Sequence, residues 1–174
     1  MAGFKFAQNF YKIGLMKAVS FQTESAEQTQ KIAGILAKEL LSTRGGSASG
    51  GKIKKHALVL ALSGDLGSGK TTFVQGLARG FGIRSKIQSP TFLIIKNYKL
   101  KVRSYKLFTH IDAYRLKKPK DILTLDWREV AGDPKNIIAI EWARHIKKVL
   151  PKNHIDINFK HISKNKRKII FNAR

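Results

Sequence analysis

The chain of 174 residues contains no cysteine. This absence excludes disulfide frameworks, thiolate zinc sites, iron–sulfur clusters and cysteine nucleophiles from these residues. The sequence also lacks any apolar run of the roughly 18 residues that a transmembrane helix needs, which predicts a soluble chain. Acidic residues are scarce: 11 Asp and Glu stand against 34 Lys and Arg, which gives a formal net charge of +23.

The excess of positive charge has two interpretations. It fits a polyanionic partner, and a nucleotide, a nucleic acid or an acidic membrane surface would each qualify. It also fits a composition bias of the whole proteome, because 25 of the 34 basic residues are Lys. Two tracts concentrate the charge, with eleven basic residues and one acid in 84–120, and ten and one in 143–174. Both interpretations stay open at this point.

Length and an apolar content of 43% predict one domain with its own core. Residues 1–20 have no acid and only interrupted apolar stretches, which predicts a disordered extension. Residues 21–174 are then a single domain. Residues 42–52 read STRGGSASGGK, the composition of a flexible Gly/Ser-rich insert within that domain.

Hydrophobic periodicity predicts alternating helices and strands. Helices are expected over 25–41, from near Lys70 to Gly80 or Gly82, and between Asp121 and Val130; strands are expected at Ala57–Leu62, Phe92–Ile95, Tyr105–Phe108 and Ile137–Ile140; a hairpin is expected from Ile155–Ile162 and Lys168–Phe171. This order, together with the P-loop sequence at 64–71 that connects the first of these strands to the helix at Lys70, predicts an α/β fold of the P-loop NTPase type. Its mixed sheet would be flanked by helices and would end in a C-terminal antiparallel hairpin.

Residues 64–71 read GDLGSGKT, which matches the P-loop pattern in full between a buried strand and a helix. Gly67 and Gly69 permit backbone conformations that turn successive N–H groups toward phosphate oxygens. Lys70 would contact the β and γ phosphates, and the Thr71 hydroxyl would be a ligand of Mg²⁺. The alternative is a Gly-rich turn between strand and helix that binds no ligand.

A P-loop also needs an acid on the Mg²⁺ side, and two positions qualify. Glu141 directly follows the apolar run 137–140, and Asp112 follows the less regular run 107–111. A carboxylate at the end of an apolar strand is costly unless a cation faces it. The alternative for each is a strand-terminal acid paired with a Lys. His110 is interpreted as a structural histidine rather than as a ligand.

Two more residues are candidates for nucleotide contacts. Thr91, in SPTF at 89–92, lies about twenty residues after the P-loop Lys, where a Thr can sense the γ-phosphate. Trp142 follows Glu141 and could stack on the adenine base. The alternative for Thr91 is an ordinary turn before a strand, and the alternative for Trp142 is an ordinary half-buried Trp.

Four ordered motifs together resemble the TsaE family, also called YjeE: GDLGSGKTTF at 64–73, SPTF at 89–92, HIDAYRL at 110–116 and IEW at 140–142. The resemblance implies a cytoplasmic, Mg²⁺-dependent ATPase that acts with TsaB and TsaD in making threonylcarbamoyl-adenosine in tRNA. Hydrolysis is expected to be slow without these partners. It further implies that the protein contacts tRNA indirectly or through its basic surface, and that it has no membrane partner.

The resemblance also implies roles for particular residues. Gly67, Ser68, Gly69, Lys70, Thr71 and Thr72 resemble the phosphate-binding residues of the family. Thr71 and Glu141 correspond to its Mg²⁺ side, and Asp112 corresponds to its catalytic or water-positioning acid. Trp142 resembles the adenine-stacking Trp, and Thr29 resembles a Thr of the first helix near the nucleotide.

Two other classes of protein stay open. A small P-loop kinase would need an acceptor pocket and an Arg-rich lid, and no such segment is visible in the sequence. A nucleic-acid-binding module with a non-hydrolytic phosphate site would lose affinity steeply with salt and would turn over no ATP.

Overall fold

The computed structural model describes residues 18–42, 56–88, 94–116 and 118–173. Seven strands form one sheet: β1 (Val19–Thr23), β2 (Leu58–Ser63), β3 (Ile95–Lys99), β4 (Leu107–Asp112), β5 (Asn136–Glu141), β6 (Ile155–His161) and β7 (Arg167–Ala173). The α-helices are α1 (Ala26–Ser42), α2 (Lys70–Gly80) and α3 (Trp127–Gly132), and two 3₁₀ segments cover Pro119–Thr124 and Ala143–Val149.

The sheet has the order β1-β7-β6-β2-β5-β4-β3. Its four inner strands, β6, β2, β5 and β4, are parallel to one another. The remaining pairs, β6–β7, β7–β1 and β4–β3, are antiparallel. The α/β fold with a mixed sheet and a C-terminal antiparallel hairpin is therefore confirmed.

Strands β2 and β5 are buried on both faces, which explains their nearly continuous apolar sequences. All six residues of β5 and five of six in β2 are buried. On one face of the sheet, α1 and α2 enclose a core that includes Leu62, Phe73 and Phe159. On the other face, α3 and the 3₁₀ segments cover a second core that includes Ile122 and Ile140.

The parallel register places the carboxyl ends of the inner strands side by side. Glu141 lies opposite Asp112 of β4 and opposite Leu62 of β2. In open α/β sheets, ligands bind at this edge of the sheet. The same edge leads from β2 into the loop that begins α2.

Several predicted boundaries differ from the structure. The strand expected at Tyr105–Phe108 is β4, which begins at Leu107 and continues to Asp112. Val19 and Ser20, predicted to lie in a disordered extension, belong to β1. The strand expected at Phe92–Ile95 falls partly on residues 92 and 93, which lie outside the described residues. In the described part, Ile95 begins β3 (Ile95–Lys99), an edge strand whose polar residues leave no apolar run to mark it. Residues 121–130 divide between a 3₁₀ segment and the short α3. Residues 1–17, and the predicted insert from residue 43 onward, lie outside the described residues.

No helix in the described ranges combines the length and the apolar character needed to cross a bilayer. Helix α1, with 17 residues, is the longest helix in the described ranges, and it carries charged residues on its exposed side.

Helices α1 and α2 approach closely because glycines line their contact. A Cβ added at Gly76 would lie 2.6 Å from the Gln30 Cα and would also meet the Gln30 carbonyl oxygen and the Ala33 Cβ. These are backbone or fully buried atoms that cannot move aside cheaply.

We therefore expect Gly76→Ala to lower the free energy of unfolding by about 1–3 kcal/mol, the usual cost of overpacking. Gly132→Ala is the matched control, because a Cβ at Gly132 meets nothing within 4 Å. The control should change stability by less than about 0.5 kcal/mol. Urea unfolding of both variants checks this expectation, and equal effects of the two substitutions would contradict the proposed close contact.

Candidate nucleotide-binding site

The P-loop connects β2 to α2 in left-handed backbone conformations. Gly67 has a φ of 71°, and Gly69, which precedes the first residue of α2, has a φ of 100°. Residues with side chains are strained in this region, whereas glycine adopts it freely. The strand, loop and helix expected for a P-loop are therefore present, and the N-terminus of α2 faces the loop.

Lys70 is buried at the centre of this loop, with 4% of its surface exposed. Its Nζ donates hydrogen bonds of 2.8 Å to the carbonyl oxygens of Gly64 and Asp65, and it lies 3.4 Å from the Ser68 Oγ. Burial lowers the pKa of Lys70, while the charges of Glu141, Asp112 and Asp65 act in the opposite direction. The structure thus shows an ammonium group directed into the loop and held there by oxygen acceptors.

Thr71 and Glu141 meet across the edge of the sheet. The Thr71 Oγ1 lies 2.9 Å and 3.0 Å from the two carboxylate oxygens of Glu141. Glu141 is only 2% exposed although it carries a carboxylate. The two residues predicted on the Mg²⁺ side are therefore brought into direct contact by α2 and β5.

His110, expected to be a structural histidine, also contacts Glu141. Its Nε2 lies 2.9 Å from the Glu141 Oε1, and the ring is fully buried. An ionised carboxylate only accepts hydrogen bonds, so Nε2 carries the hydrogen. The sequence contains one indication of this contact. His110 and Asp112 are two residues apart and therefore share a face of β4, and Asp112 is in register with Glu141.

Asp112 lies half-buried at the end of β4, in register with Glu141. Its Oδ1 accepts a 3.0 Å hydrogen bond from the Tyr114 backbone N–H. The carboxylate is close enough to raise the pKa of Lys70. Asp112 therefore belongs to the same cluster, and its chemical role stays a prediction.

Trp142 packs against the P-loop lysine. The Lys70 Nζ lies 4.0 Å from the centroid of the indole ring, a cation–π contact. Trp142 has a left-handed backbone with φ of 57°, and the Tyr114 ring lies 5.0 Å from the Trp142 ring on a tilted plane. The ring thus contacts the lysine of the phosphate loop, and adenine stacking stays a prediction.

The remaining residues predicted to contact the nucleotide do not all lie at the P-loop. Ser68 is buried in the loop, and Thr72 is half-buried in the first turn of α2. The Thr29 Oγ1 lies 2.9 Å from the Thr23 Oγ1 and donates to the Ser25 carbonyl at 3.2 Å. Those contacts join α1 to β1, so a nucleotide contact of Thr29 stays a prediction. Thr91 lies outside the described residues.

The chemistry of these residues fits Mg²⁺. Thr71, Glu141 and Asp112 supply hydroxyl and carboxylate oxygens, the ligands this hard cation prefers. No group of three or more His, Asp or Glu side chains in the described parts of the chain could hold a metal by itself. Mg²⁺ is usually bound through one or two carboxylates together with substrate phosphates, so the small donor set suits a nucleotide-dependent ion.

Comparisons with known proteins give one consistent result. A family model described as threonylcarbamoyl adenosine biosynthesis protein TsaE matches residues 23–169. The tRNA threonylcarbamoyladenosine biosynthesis protein TsaE of Bacillus subtilis is 35% identical over 158 residues, which cover 91% of this chain and 87% of that protein. The protein of the same name from Rickettsia conorii is 36% identical over 144 residues, which cover 82% and 71%. The crystal structure of Bacillus subtilis YdiB matches with a TM-score of 0.63 and 30% identity, covering 90% of this chain and 86% of that one.

The contact between His110 and Glu141 can be measured by a double-mutant cycle. His110→Phe keeps most of the ring volume but removes the donor to a buried carboxylate, which should lower the free energy of unfolding by about 1–3 kcal/mol. In a Glu141→Met background the same change should cost much less, because no buried charge is left without a partner. Urea unfolding of the four proteins gives the coupling energy. Costs that add to within about 0.5 kcal/mol would contradict the contact.

Proposed function

Since this chain belongs to the TsaE family, we propose that it binds and hydrolyses ATP in the biosynthesis of threonylcarbamoyladenosine in tRNA. The observation that carries the proposal is the contact between Thr71 and Glu141 beside the buried Lys70. A Gly-rich turn without a ligand has no need for a buried acid that bonds to the residue after the loop lysine. The relatives' names supply the tRNA modification, and the geometry supports the nucleotide.

Different residues of the site bind the phosphates, hold Mg²⁺ and activate water. The loop amides and the N-terminus of α2 bind the phosphates, and Lys70 exchanges its carbonyl acceptors for β- and γ-phosphate oxygens. Thr71 and Glu141, with Asp112 nearby, would hold Mg²⁺, which neutralises phosphate charge when bound. Asp112 is half-exposed and orients the attacking water or accepts its proton. His110 keeps the Glu141 carboxylate directed toward Thr71.

Substitutions at Lys70 and Asp112 should separate binding from hydrolysis. Lys70→Ala removes a charge-assisted contact worth about 1.5–3 kcal/mol, so ATP affinity should fall about 10- to 100-fold. Asp112→Asn should bind ATP with Mg²⁺ nearly as the unmodified chain does, yet hydrolyse it about 10²- to 10⁴-fold more slowly. Lys38→Ala, on the exposed side of α1, is the control for loss of one positive charge.

Calorimetry and release of free phosphate are the measurements, with and without candidate acceptors. Unchanged affinity and unchanged hydrolysis in Lys70→Ala would refute the phosphate site. Phosphate transfer that depends on an acceptor would favour a small kinase. Binding that falls steeply with salt and no turnover would favour a nucleic-acid-binding module.

TsaB and TsaD are the proposed partners, and the cytoplasm is the proposed location. The basic surface supports a role beside tRNA, because one nucleotide needs only a few cations. Lys160, Lys164, Lys166 and Lys168 are exposed along the β6–β7 hairpin, and the Lys166 Nζ contacts the Glu24 Oε1 at 3.0 Å. We propose that this surface faces tRNA held by the partner proteins.

Partner dependence gives a further prediction. The isolated chain should hydrolyse ATP slowly, because none of its motifs places an arginine at the terminal phosphate, and an arginine supplied by a partner can accelerate hydrolysis by about 10³- to 10⁵-fold. Adding TsaB and TsaD should raise the rate, and tRNA modification should require all three proteins. High turnover by the isolated chain, with no response to the partners, would contradict this dependence while leaving the nucleotide site in place.

A further inference from the structure

Arg167, the first residue of β7, reaches the P-loop from the C-terminal hairpin. Its Nη2 donates a hydrogen bond of 3.1 Å to the Gly67 carbonyl oxygen, 100 positions earlier in the chain. The stem of the same side chain passes over the loop, since a Cβ built at Gly69 would lie 3.9 Å from the Arg167 Cγ. None of the sequence motifs includes Arg167, which is one of the ten basic residues of 143–174.

The other side of the guanidinium is held by the hairpin turn. Its Nη1 donates to the carbonyl oxygens of Ser163 at 2.9 Å, Lys166 at 3.0 Å and Lys164 at 3.3 Å. The backbone of Arg167 is fixed by pairing with Thr23 of β1 and with His161 of β6. The guanidinium therefore joins the hairpin to the loop along a defined direction.

The hairpin turn does not need this side chain to close. The Ile162 N–H bonds to the Lys166 carbonyl at 3.0 Å, and the Lys166 N–H bonds to the Ser163 carbonyl at 3.2 Å. None of the ion pairs found in the described residues includes Arg167. A long cationic side chain is thus ordered on carbonyl oxygens, one of which belongs to the P-loop.

The contacted carbonyl belongs to the Gly67–Ser68 peptide, whose two polar groups are both held. Its oxygen accepts from Arg167, and its N–H, carried by Ser68, donates to the Asp65 carbonyl at 3.2 Å. In a trans peptide the oxygen and the N–H point in opposite directions. Holding the oxygen toward the hairpin therefore keeps the N–H on the opposite side, where it bonds to the Asp65 carbonyl, the same acceptor that Lys70 uses. A bound phosphate oxygen would take the place of that acceptor for both donors.

Gly67 makes such a restraint useful. With a φ of 71° and no neighbour within 4 Å of a Cβ built there, this residue has few steric restraints, so hydrogen bonds rather than packing hold the adjoining peptide. Ordering a loop before the ligand arrives removes that entropy cost from binding. We propose that Arg167 is a positioning residue of the nucleotide site, which holds the Gly67–Ser68 peptide in the orientation that binds phosphate.

Loop order can be measured without any nucleotide, so this part of the test does not depend on the proposed function. The proteins are the unmodified chain, Arg167→Ala, Arg167→Lys and the control Lys168→Ala, which removes an exposed charge at the next position of β7. In ¹⁵N relaxation measurements, the amides of Gly67 and Ser68 should change from order parameters of a rigid backbone, about 0.85, to below about 0.6 in Arg167→Ala. The control should match the unmodified chain, and thermal melts confirm that each variant folds.

The lysine variant separates geometry from charge. A Lys ammonium keeps the positive charge, but it lacks the fork that spans the turn carbonyls and Gly67 together. Arg167→Lys should therefore show a loosened loop as well, although less than Arg167→Ala. If Arg167→Lys matches the unmodified chain, or if Arg167→Ala leaves the Gly67 and Ser68 amides unchanged, the proposal is overturned.

Nucleotide affinity gives the second readout, and this step rests on the proposed function. The loop amides bind phosphates that ADP and ATP share, so Arg167→Ala should weaken both nucleotides about tenfold by calorimetry. Loss of ATP affinity alone would show a direct contact to the terminal phosphate and would overturn the positioning role. If the unmodified chain binds neither nucleotide, the proposed function fails, while the relaxation measurements still decide whether Arg167 orders the loop.

Discussion

The buried carboxylate of Glu141 joins the elements on which the site depends. A charge removed almost completely from water needs hydrogen-bond donors, and its donors come from two other elements: Thr71 at the start of α2 and His110 in β4. Satisfying this one group fixes the N-terminus of α2 against the parallel strands. The P-loop lies between β2 and α2, so this contact fixes its end at α2, while the pairing of β2 with β5 fixes the other end.

Electrostatics adds a second constraint at the same edge of the sheet. Lys70 is buried in a chain of net charge +23, and burial lowers its pKa. The three acids whose charges oppose this effect include Asp112 and Glu141, which the parallel register brings together. Few acids are present in the chain, and their concentration here balances a cation that would otherwise repel its surroundings.

The parts of the fold that could be predicted are those with local signals. Strands β2 and β5 are buried on both faces and read as apolar runs, and the P-loop pattern marks the turn and the start of α2. Strand β1 alternates apolar and polar residues over its five positions, so a short local signal is present. What could not be predicted is its pairing with β7, which lies far away in sequence. The contacts of His110 with Glu141, and of Arg167 with Gly67, depend on strand register and on the closure of the sheet. The spacing of His110 and Asp112 indicates only that the two residues share a face of their strand, and no pattern in neighbouring residues indicates the contact of Arg167.

The indole ring of Trp142 against the Lys70 ammonium affects which anions can enter the loop. A cation that already has two carbonyl acceptors and an aromatic face is stabilised in the absence of ligand. An anion gains affinity only if it offers more than these contacts together. A single phosphate group, whether free in solution or part of an RNA backbone, offers one charged group to Lys70. A chain of phosphates would also reach the loop amides and the Thr71 hydroxyl. The aromatic contact therefore raises the threshold equally for every anion, and the additional contacts would let a polyphosphate pass it where the many simpler anions that a strongly basic protein attracts would not.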